Sequence, residues 1–211
     1  MMGCGDGTMR WRCLRKGVAM GMVVMGVAVM AVLSLASCAG DDYTYSNFHC
    51  NLYIDNSTHQ DATLASAMNP MSPGVFCKIS YDAPTRSYAF SSNQGQASKS
   101  PFDAKDTQRG NSGRMGMNNG LIVGYGNLSV ADAGGYAFYA YDAQCPNCFD
   151  YTSIPLRNYP VAMTSAGMAV CANCKRQYNM NTGGNCSNNT GEGLTLYRAT
   201  TTGALGTLFV N

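Results

Sequence analysis

The segment Gly135-Tyr-Ala-Phe-Tyr-Ala-Tyr141 is a run of aromatic and small residues, and Cys145-Pro-Asn-Cys148 follows it three residues later. Aromatic residues are enriched in β-strands, and the run has the length of a strand. The sequence therefore predicts a strand over residues 135–141 with a pair of cysteines close behind it.

Other short runs have the same character, and no segment after residue 38 keeps apolar residues at the helical spacing for three turns. A single short helix is predicted at Asp61–Met68, capped by Asp61 and ended before Pro70. The pattern predicts an all-β fold of antiparallel sheets. The further predicted strands are Phe48–Ile54, Gly74–Tyr81, Ser87–Ser91, Leu121–Tyr125, Met168–Cys171, Leu194–Arg198 and Leu205–Val210.

The stretch Ser92–Asn119 is polar and offers only Phe102, Met115 and Met117 for burial. Such a composition is typical of a long excursion or a linker. We expect an N-terminal β segment and polar linker over residues 38–118 and a four-cysteine domain over residues 119–211.

The first residues form an export signal. An apolar and small-residue run, Gly17–Ala36, follows four basic residues and ends in Leu35-Ala-Ser-Cys38, which resembles the lipobox of bacterial lipoproteins. An uncleaved membrane-spanning helix is the alternative, because about 20 apolar residues span a bilayer. We favour a signal peptide over residues 1–37 and a lipid on Cys38. The basic residues are Arg10, Arg12, Arg15 and Lys16.

Several acyl chains on Cys38 would hold the protein stably on a membrane, whereas a single chain binds only marginally. The protein is therefore expected outside the cytoplasm, anchored by lipid in the cell envelope. No aspartate directly follows Cys38, which favours the outer membrane or the cell surface.

Cleavage would change the charge of the chain. The leader removes four of 14 Lys and Arg and one of 12 Asp and Glu, so ten basic residues face eleven acidic ones and the net charge falls from +2 to −1. No basic cluster is left for a phosphate backbone, so we expect no nucleic-acid partner.

Two cysteine pairs carry the most specific chemical signal: Cys145-Pro-Asn-Cys148 and Cys171-Ala-Asn-Cys174. Two such knuckles can close a tetrahedron of sulfurs around one Zn or Fe ion, or hold an iron–sulfur cluster. Disulfides are the alternative, since exported proteins meet oxidising conditions. Bridges within Cys-x-x-Cys usually belong to redox catalysts at helix starts, whereas Pro and Asn here form turns between strands, which favours a metal.

The stretch Gly135–Asn211 resembles the Rieske domain, in which two loops place a Cys-x-His and a Cys-x-x-His on a [2Fe–2S] cluster. By this resemblance Cys145 and Cys171 match the ligand cysteines, Cys174 lies at the second histidine, and Tyr178 matches an aromatic residue that bonds a cluster sulfur. It implies a Rieske-like β-sandwich with a small two-loop metal-binding subdomain. Further matching stretches are Tyr136–Asp142, Asn181–Gly183, Gly191–Gly193 and Leu194–Tyr197.

The chain departs from that family at its ligands. Asn147 stands at the first histidine position with Cys148 beside it, and Arg176 replaces a cluster-bonding serine. Two thiolates in place of two imidazoles remove the feature that gives Rieske centres their high potential. One Zn ion, a rubredoxin-like iron and an all-cysteine [2Fe–2S] cluster remain as alternatives.

Geometry separates these alternatives. Around one ion, all four sulfurs lie about 3.8 Å apart, as bonds near 2.3 Å imply. In a Rieske-like cluster, Cys145 and Cys171 would share one iron while Cys148 and Cys174 hold the other, and the two pairs would stand further apart.

The remaining cysteines and histidines are less informative. Cys50 and Cys77 each lie in a predicted strand and suit a disulfide, with a pair of buried thiols as the alternative. Cys186 is a spare thiol, a disulfide partner or a substitute ligand. His49 and His59 lie far upstream of the knuckles and are predicted to be surface or structural residues.

No sequence motif predicts an enzyme: HExxH, GxSxG and a Walker loop are all missing from the sequence. We therefore expect a non-catalytic, Rieske-like metal-binding protein of the envelope. An electron-transfer module with an unidentified redox partner is the second hypothesis. A disulfide-stapled lipoprotein that binds a glycan or an envelope protein is the third.

Overall fold

The computed structural model describes residues 45–48, 50–113, 115–130 and 135–211, without the side chain of Val130. These residues belong to one compact unit. The predicted signal peptide, the lipidation site Cys38 and His49 lie outside the described residues. Within the described ranges, no helix is both long enough and apolar enough to cross a bilayer.

The described residues are mostly in strands, joined by short helices. Helix α1 is Asn56–His59, α2 is Ala62–Ala67 and α3 is Ala104–Arg109. The strands are β1 Leu52–Asp55, β2 Phe76–Asp82, β3 Ser87–Ser92, β4 Ala97–Pro101, β5 Leu121–Val130, β6 Gly135–Asp142, β7 Val161–Met163, β8 Met168–Cys171, β9 Gln177–Asn179, β10 Asn185–Cys186, β11 Leu196–Tyr197, β12 Ala199–Thr201 and β13 Thr207–Val210.

These strands form three sheets. The six-stranded sheet has the order β11-β6-β5-β2-β3-β4, a three-stranded sheet has the order β1-β13-β12, and a four-stranded sheet has the order β10-β9-β8-β7. Every pairing among the described strands is antiparallel. The predicted all-β, antiparallel fold is therefore confirmed.

The six-stranded sheet is buried on both faces at its centre. Side chains alternate between the two faces along each strand, so neighbouring residues enter different cores. In β5, Leu121 and Val123 join a core with β1, β13 and α2, whereas Ile122 joins a second core with the four-stranded sheet. In β6, Ala140 and Tyr141 divide between the two cores in the same way. The four-stranded sheet thus packs on one face of the larger sheet.

The predicted helix is present as α2. Asp61 precedes it in extended conformation and accepts a hydrogen bond from the backbone N–H of Leu64 at 2.9 Å, which caps the first turn.

The stretch Ser92–Asn119 differs from the expected linker. It contributes β4 at the edge of the six-stranded sheet and α3, which begins with a capping box between Asp103 and Asp106. Strands before and after residue 119 pair in this one sheet, so the predicted division falls inside it. The polar sequence of β4 suits an edge strand with few contacts, and this is why composition alone suggested a linker.

The predicted disulfide between Cys50 and Cys77 is wrong. Both cysteines are thiols buried in the first core. Burial raises the pKa of Cys50 to about 11 and that of Cys77 still further. Cys50 precedes β1 of the three-stranded sheet and Cys77 lies in β2 of the six-stranded sheet, and both side chains are part of the same apolar core.

Candidate metal centre

The end of β6 is fixed by Asp142, which positions the first knuckle. Its buried carboxylate accepts hydrogen bonds from the backbone N–H of Met117 at 2.6 Å, the backbone N–H of Gln144 at 2.8 Å and the hydroxyl of Tyr197 at 2.9 Å. Burial raises the pKa of Asp142, and these three donors act against that rise. The chain therefore leaves the sheet in a defined direction three residues before Cys145.

The first knuckle is a tight turn. Cys145 donates its backbone N–H to the carbonyl of Tyr159 at 2.9 Å, and its own carbonyl accepts from the N–H of Cys148 at 3.1 Å and of Phe149 at 2.9 Å. The turn brings Cys148 back beside Cys145, so both sulfurs point to one side.

The second knuckle links β8 to β9. Cys171, the last residue of β8, donates its N–H to the carbonyl of Arg176 at 3.0 Å, and its carbonyl accepts from the N–H of Lys175 at 3.0 Å. Lys175 has a φ of 60°, the left-handed conformation that such a reversal requires. Cys174 thereby returns beside Cys171.

All four cysteine sulfurs meet: the Sγ atoms of Cys145, Cys148, Cys171 and Cys174 lie within 4.8 Å of one another. Sγ of Cys145 is 3.7 Å from Sγ of Cys174, and Sγ of Cys171 is 3.9 Å from Sγ of Cys148. A disulfide would require about 2.05 Å, and these four cysteines are thiols. These two edges match the 3.8 Å or so of a sulfur tetrahedron with metal bonds of about 2.3 Å, and the remaining ones stay within 4.8 Å, so the residues fit a single tetrahedral ion.

The side chains of Tyr178 and Asn147 hold the first knuckle by hydrogen bonds. The hydroxyl of Tyr178, a fully buried side chain on β9, lies 3.1 Å from Sγ of Cys145. Asn147 donates to the Tyr178 hydroxyl at 3.0 Å, so that hydroxyl is left to donate to the sulfur. Asn147 thus orients a donor toward the sulfur of Cys145.

Two further donors reach the outer sulfurs. The side-chain amide of Asn173 donates to Sγ of Cys148 at 3.3 Å. Partial burial opposes ionisation of Cys174, but hydrogen bonds from the backbone and the guanidinium of Arg176 outweigh it and lower the pKa of Cys174 to about 6. Burial raises the pKa of both Cys145 and Cys148. The metal-free site therefore concentrates negative charge on the sulfur next to Arg176.

A glycine turn closes over this arrangement. Asn147 donates to the carbonyl of Glu192 at 2.8 Å and accepts from its N–H at 3.1 Å, while Nε of Arg176 donates to the carbonyl of Thr190 at 3.1 Å. Gly191, between them, has a φ of 144°, and a Cβ there would collide with Asn147 and press on Arg176. Only glycine lets the backbone approach this closely.

The site is buried on one side only. Cys145 and Cys171 are buried, whereas Cys148 and Cys174 are partly exposed. An ion held here would have two sulfurs in the core and two near solvent.

Cys186 is not one of the four. It lies on β10, pairs in register with Tyr178, and its Sγ is 3.9 Å from Oδ1 of Asn188. Sequence reasoning did not assign the roles of Asn147, Asn173 and Arg176 as hydrogen-bonding partners. The signal available was their position inside or just after the Cys-x-x-Cys turns.

A second polar group lies apart from the cysteines. His59 has a nearly buried side chain, with Nε2 3.1 Å from Oδ2 of Asp106 and Nδ1 2.8 Å from Oγ of Ser100. Asp106 also accepts from the hydroxyl of Tyr88 at 2.7 Å, and Asp103 lies nearby. Because Asp103 and Asp106 already cap α3, we interpret this group as a structural ion pair.

Comparison of the chain with protein-family models, with curated proteins and with solved structures finds no match.

Proposed function

We propose that this chain is a lipid-anchored protein of the cell envelope, with a Rieske-like domain that binds one metal ion, Zn or Fe, through Cys145, Cys148, Cys171 and Cys174. The role of the ion is structural and the domain is non-catalytic. The observation that carries this proposal is the convergence of four sulfurs within 4.8 Å from two separate knuckles.

The identity of the sulfur pairs that lie close together favours a single ion over a [2Fe–2S] cluster. The short distances, 3.7 Å and 3.9 Å, join Cys145 to Cys174 and Cys148 to Cys171. A Rieske-like cluster would assign the members of each of these pairs to different irons. With every pair below 4.8 Å, one centre equidistant from all four sulfurs is the simpler arrangement.

The small size of the four-stranded sheet supports a structural role. Its strands are only two to four residues long. Strands this short stabilise one another weakly, and a bound metal contributes its binding energy directly to folding. The Rieske-like assignment is supported by the contact of Tyr178 with Cys145 and by the two cysteine turns that bring their sulfurs together.

The test is metal analysis of protein purified without added metal, together with its visible spectrum. We expect one equivalent of Zn or Fe per chain, no acid-labile sulfide, and retention of the metal in a Cys186→Ser control. Two irons with acid-labile sulfide, or a metal-free protein with two disulfides, would refute the single-ion site. A lipid on Cys38 is tested separately by the mass of the chain isolated from membranes.

Electron transfer through an iron in the same site is the second candidate. It is favoured by the donors on three of the sulfurs, Tyr178, Asn173 and Arg176, since hydrogen bonds to sulfur tune reduction potentials. Two partly exposed sulfurs would give a redox partner access. Reversible bleaching by dithionite supports this candidate, and a colourless zinc protein excludes it.

A further inference from the structure

The segment after the first knuckle carries an unusual concentration of exposed apolar side chains. Among the described residues, eight large apolar side chains are exposed, and three of them lie within six residues: Tyr151 at 64%, Ile154 at 98% and Leu156 at 48%. The other five are Met71, Leu128, Tyr136, Leu205 and Phe209, and no three of them lie so close in sequence. Adjacent exposed apolar residues indicate an interaction surface, whereas isolated ones are ordinary.

This apolar loop, defined as residues 151–156, lies beside the start of the described chain. The rings of Phe48 and Tyr151 are in contact, with centroids 6.1 Å apart. The described chain begins at Tyr45, whose ring lies under the guanidinium of Arg198. The backbone N–H of Ser46 donates to the carbonyl of Leu196 at 2.7 Å. Phe48 is three residues after Tyr45, so the backbone between them can span about 10 Å at most.

The length of the tether limits how far the fold can be from a membrane. Seven residues lead from Cys38 to Tyr45, and seven extended residues span at most about 25 Å. If a lipid on Cys38 is in a bilayer, the entry point of the chain and the apolar loop next to it are kept near that bilayer.

We propose that the apolar loop contacts the surface of the membrane in which the lipid on Cys38 is inserted. This inference rests on the lipid anchor of the proposed function. Tyrosine suits the interface between headgroups and acyl chains because its ring is apolar and its hydroxyl is polar. Ile154 and Leu156 supply the apolar surface that enters it.

Charge contributes little to this contact. The loop is flanked by Asp150 and Arg157, which cancel, and the tether carries Asp41 and Asp42, which an anionic surface repels. The contact is therefore apolar, and it should form on zwitterionic and on partly anionic vesicles alike.

An introduced tryptophan tests the proposal, because the only tryptophan of the natural sequence, Trp11, lies in the predicted signal peptide. The full chain carrying Ile154→Trp is isolated from membranes and reconstituted into phosphatidylcholine vesicles containing acyl-brominated lipid. Leu205→Trp is the matched control, since Leu205 is 62% exposed in the turn at the opposite end of the three-stranded sheet from Phe48.

We expect the emission of Ile154→Trp to shift to the blue and to be quenched at least threefold more than that of Leu205→Trp. Equal quenching of the two variants in a lipidated chain overturns the proposal and leaves the anchor intact. A blue shift that depends on protein concentration without quenching by brominated lipid assigns the loop to a second copy and also overturns it. A mass without lipid on Cys38 overturns the anchor and this inference together, while the metal content still reports on the site.

Discussion

The hydroxyl of Tyr178 on β9 lies 3.1 Å from Sγ of Cys145 at the start of the first knuckle, which joins the two halves of the site by a hydrogen bond independent of any metal. Partners that orient metal ligands typically alter affinity 10- to 100-fold when removed. Tyr178→Phe should therefore lower metal affinity about tenfold or more. Chelator competition measures this loss, with Tyr139→Phe as control because Tyr139 stacks on Tyr141 instead. Equal affinities in the two variants would contradict the role of the hydroxyl.

Cys171→Ser removes a buried ligand and should abolish metal binding. A ligand present at a hundred times its Kd stabilises a fold by about 3 kcal/mol, so the free energy of unfolding should fall by at least about that amount. Cys186→Ser should change neither metal content nor stability. Urea titrations with and without chelator measure both, and a chelator that fails to destabilise the parent protein would argue against a structural ion.

Gly191→Ala should disturb the turn over Asn147 and Arg176. The backbone at Gly191 is unfavourable for alanine, at a cost of about 1–3 kcal/mol, and the new Cβ would also displace those two side chains. Gly203→Ala carries the backbone cost alone, since Gly203 has a φ of 111° and open space around it. Only Gly191→Ala should weaken metal binding, which titration with zinc measures; matching affinities would show that the turn does not support the site.

The pair of His59 and Asp106 predicts a pH dependence of stability. The hydrogen bond and charge of Asp106 raise the pKa of His59 although burial opposes them. Burial acts to raise the pKa of Asp106, but the hydrogen bonds of His59, the Asp103 backbone and Tyr88 lower it. The contribution of His59 is complete below its usual pKa of about 6.5 and is lost as pH rises through the raised value. That of Asp106 is present above its usual value of about 3.9 and is lost on acidification through the lowered one.

Stability from this pair should thus be greatest between about pH 4 and 6.5. Thermal unfolding between pH 6 and 9 measures it: the parent protein should lose stability with rising pH, and His59→Gln should show a flatter profile. Parallel profiles would mean that His59 is neutral in the fold. Asp106→Ala should cost about 3–5 kcal/mol, because it removes a buried acceptor that His59, Tyr88 and Asn111 share.

Eight predicted strands correspond to strands of the structure. Seven of them contain an aromatic or β-branched residue that is buried in a core, whereas β8 buries Ala169 and Cys171. The strands β4, β7, β9, β10 and β12 were not predicted. They are short, and all except β7 are mostly polar, so they form through pairing with neighbours rather than through their own composition. Gln177–Asn179, for example, is a strand because it lies between β8 and β10.

The four cysteines were predictable because the spacing within each knuckle is local in sequence. The donors around them were not, because they depend on contacts between distant segments. Asn147 acts through Glu192, 45 residues further along the chain. The Cys50–Cys77 disulfide was wrong because sequence patterns indicate that both cysteines are buried but do not show whether they are bonded to each other.

The two knuckles begin on different sheets, since Cys145 follows β6 of the six-stranded sheet whereas Cys171 ends β8 of the four-stranded one. An ion bound to both knuckles would therefore link the two sheets, and this link would be rigid only while the ion is bound. Loss of the ion should increase amide exchange in β7 to β10 while the larger sheet stays protected. If the protein lies in the cell envelope, the mobility of the surface formed by β7 to β10 would therefore depend on how much metal is available there.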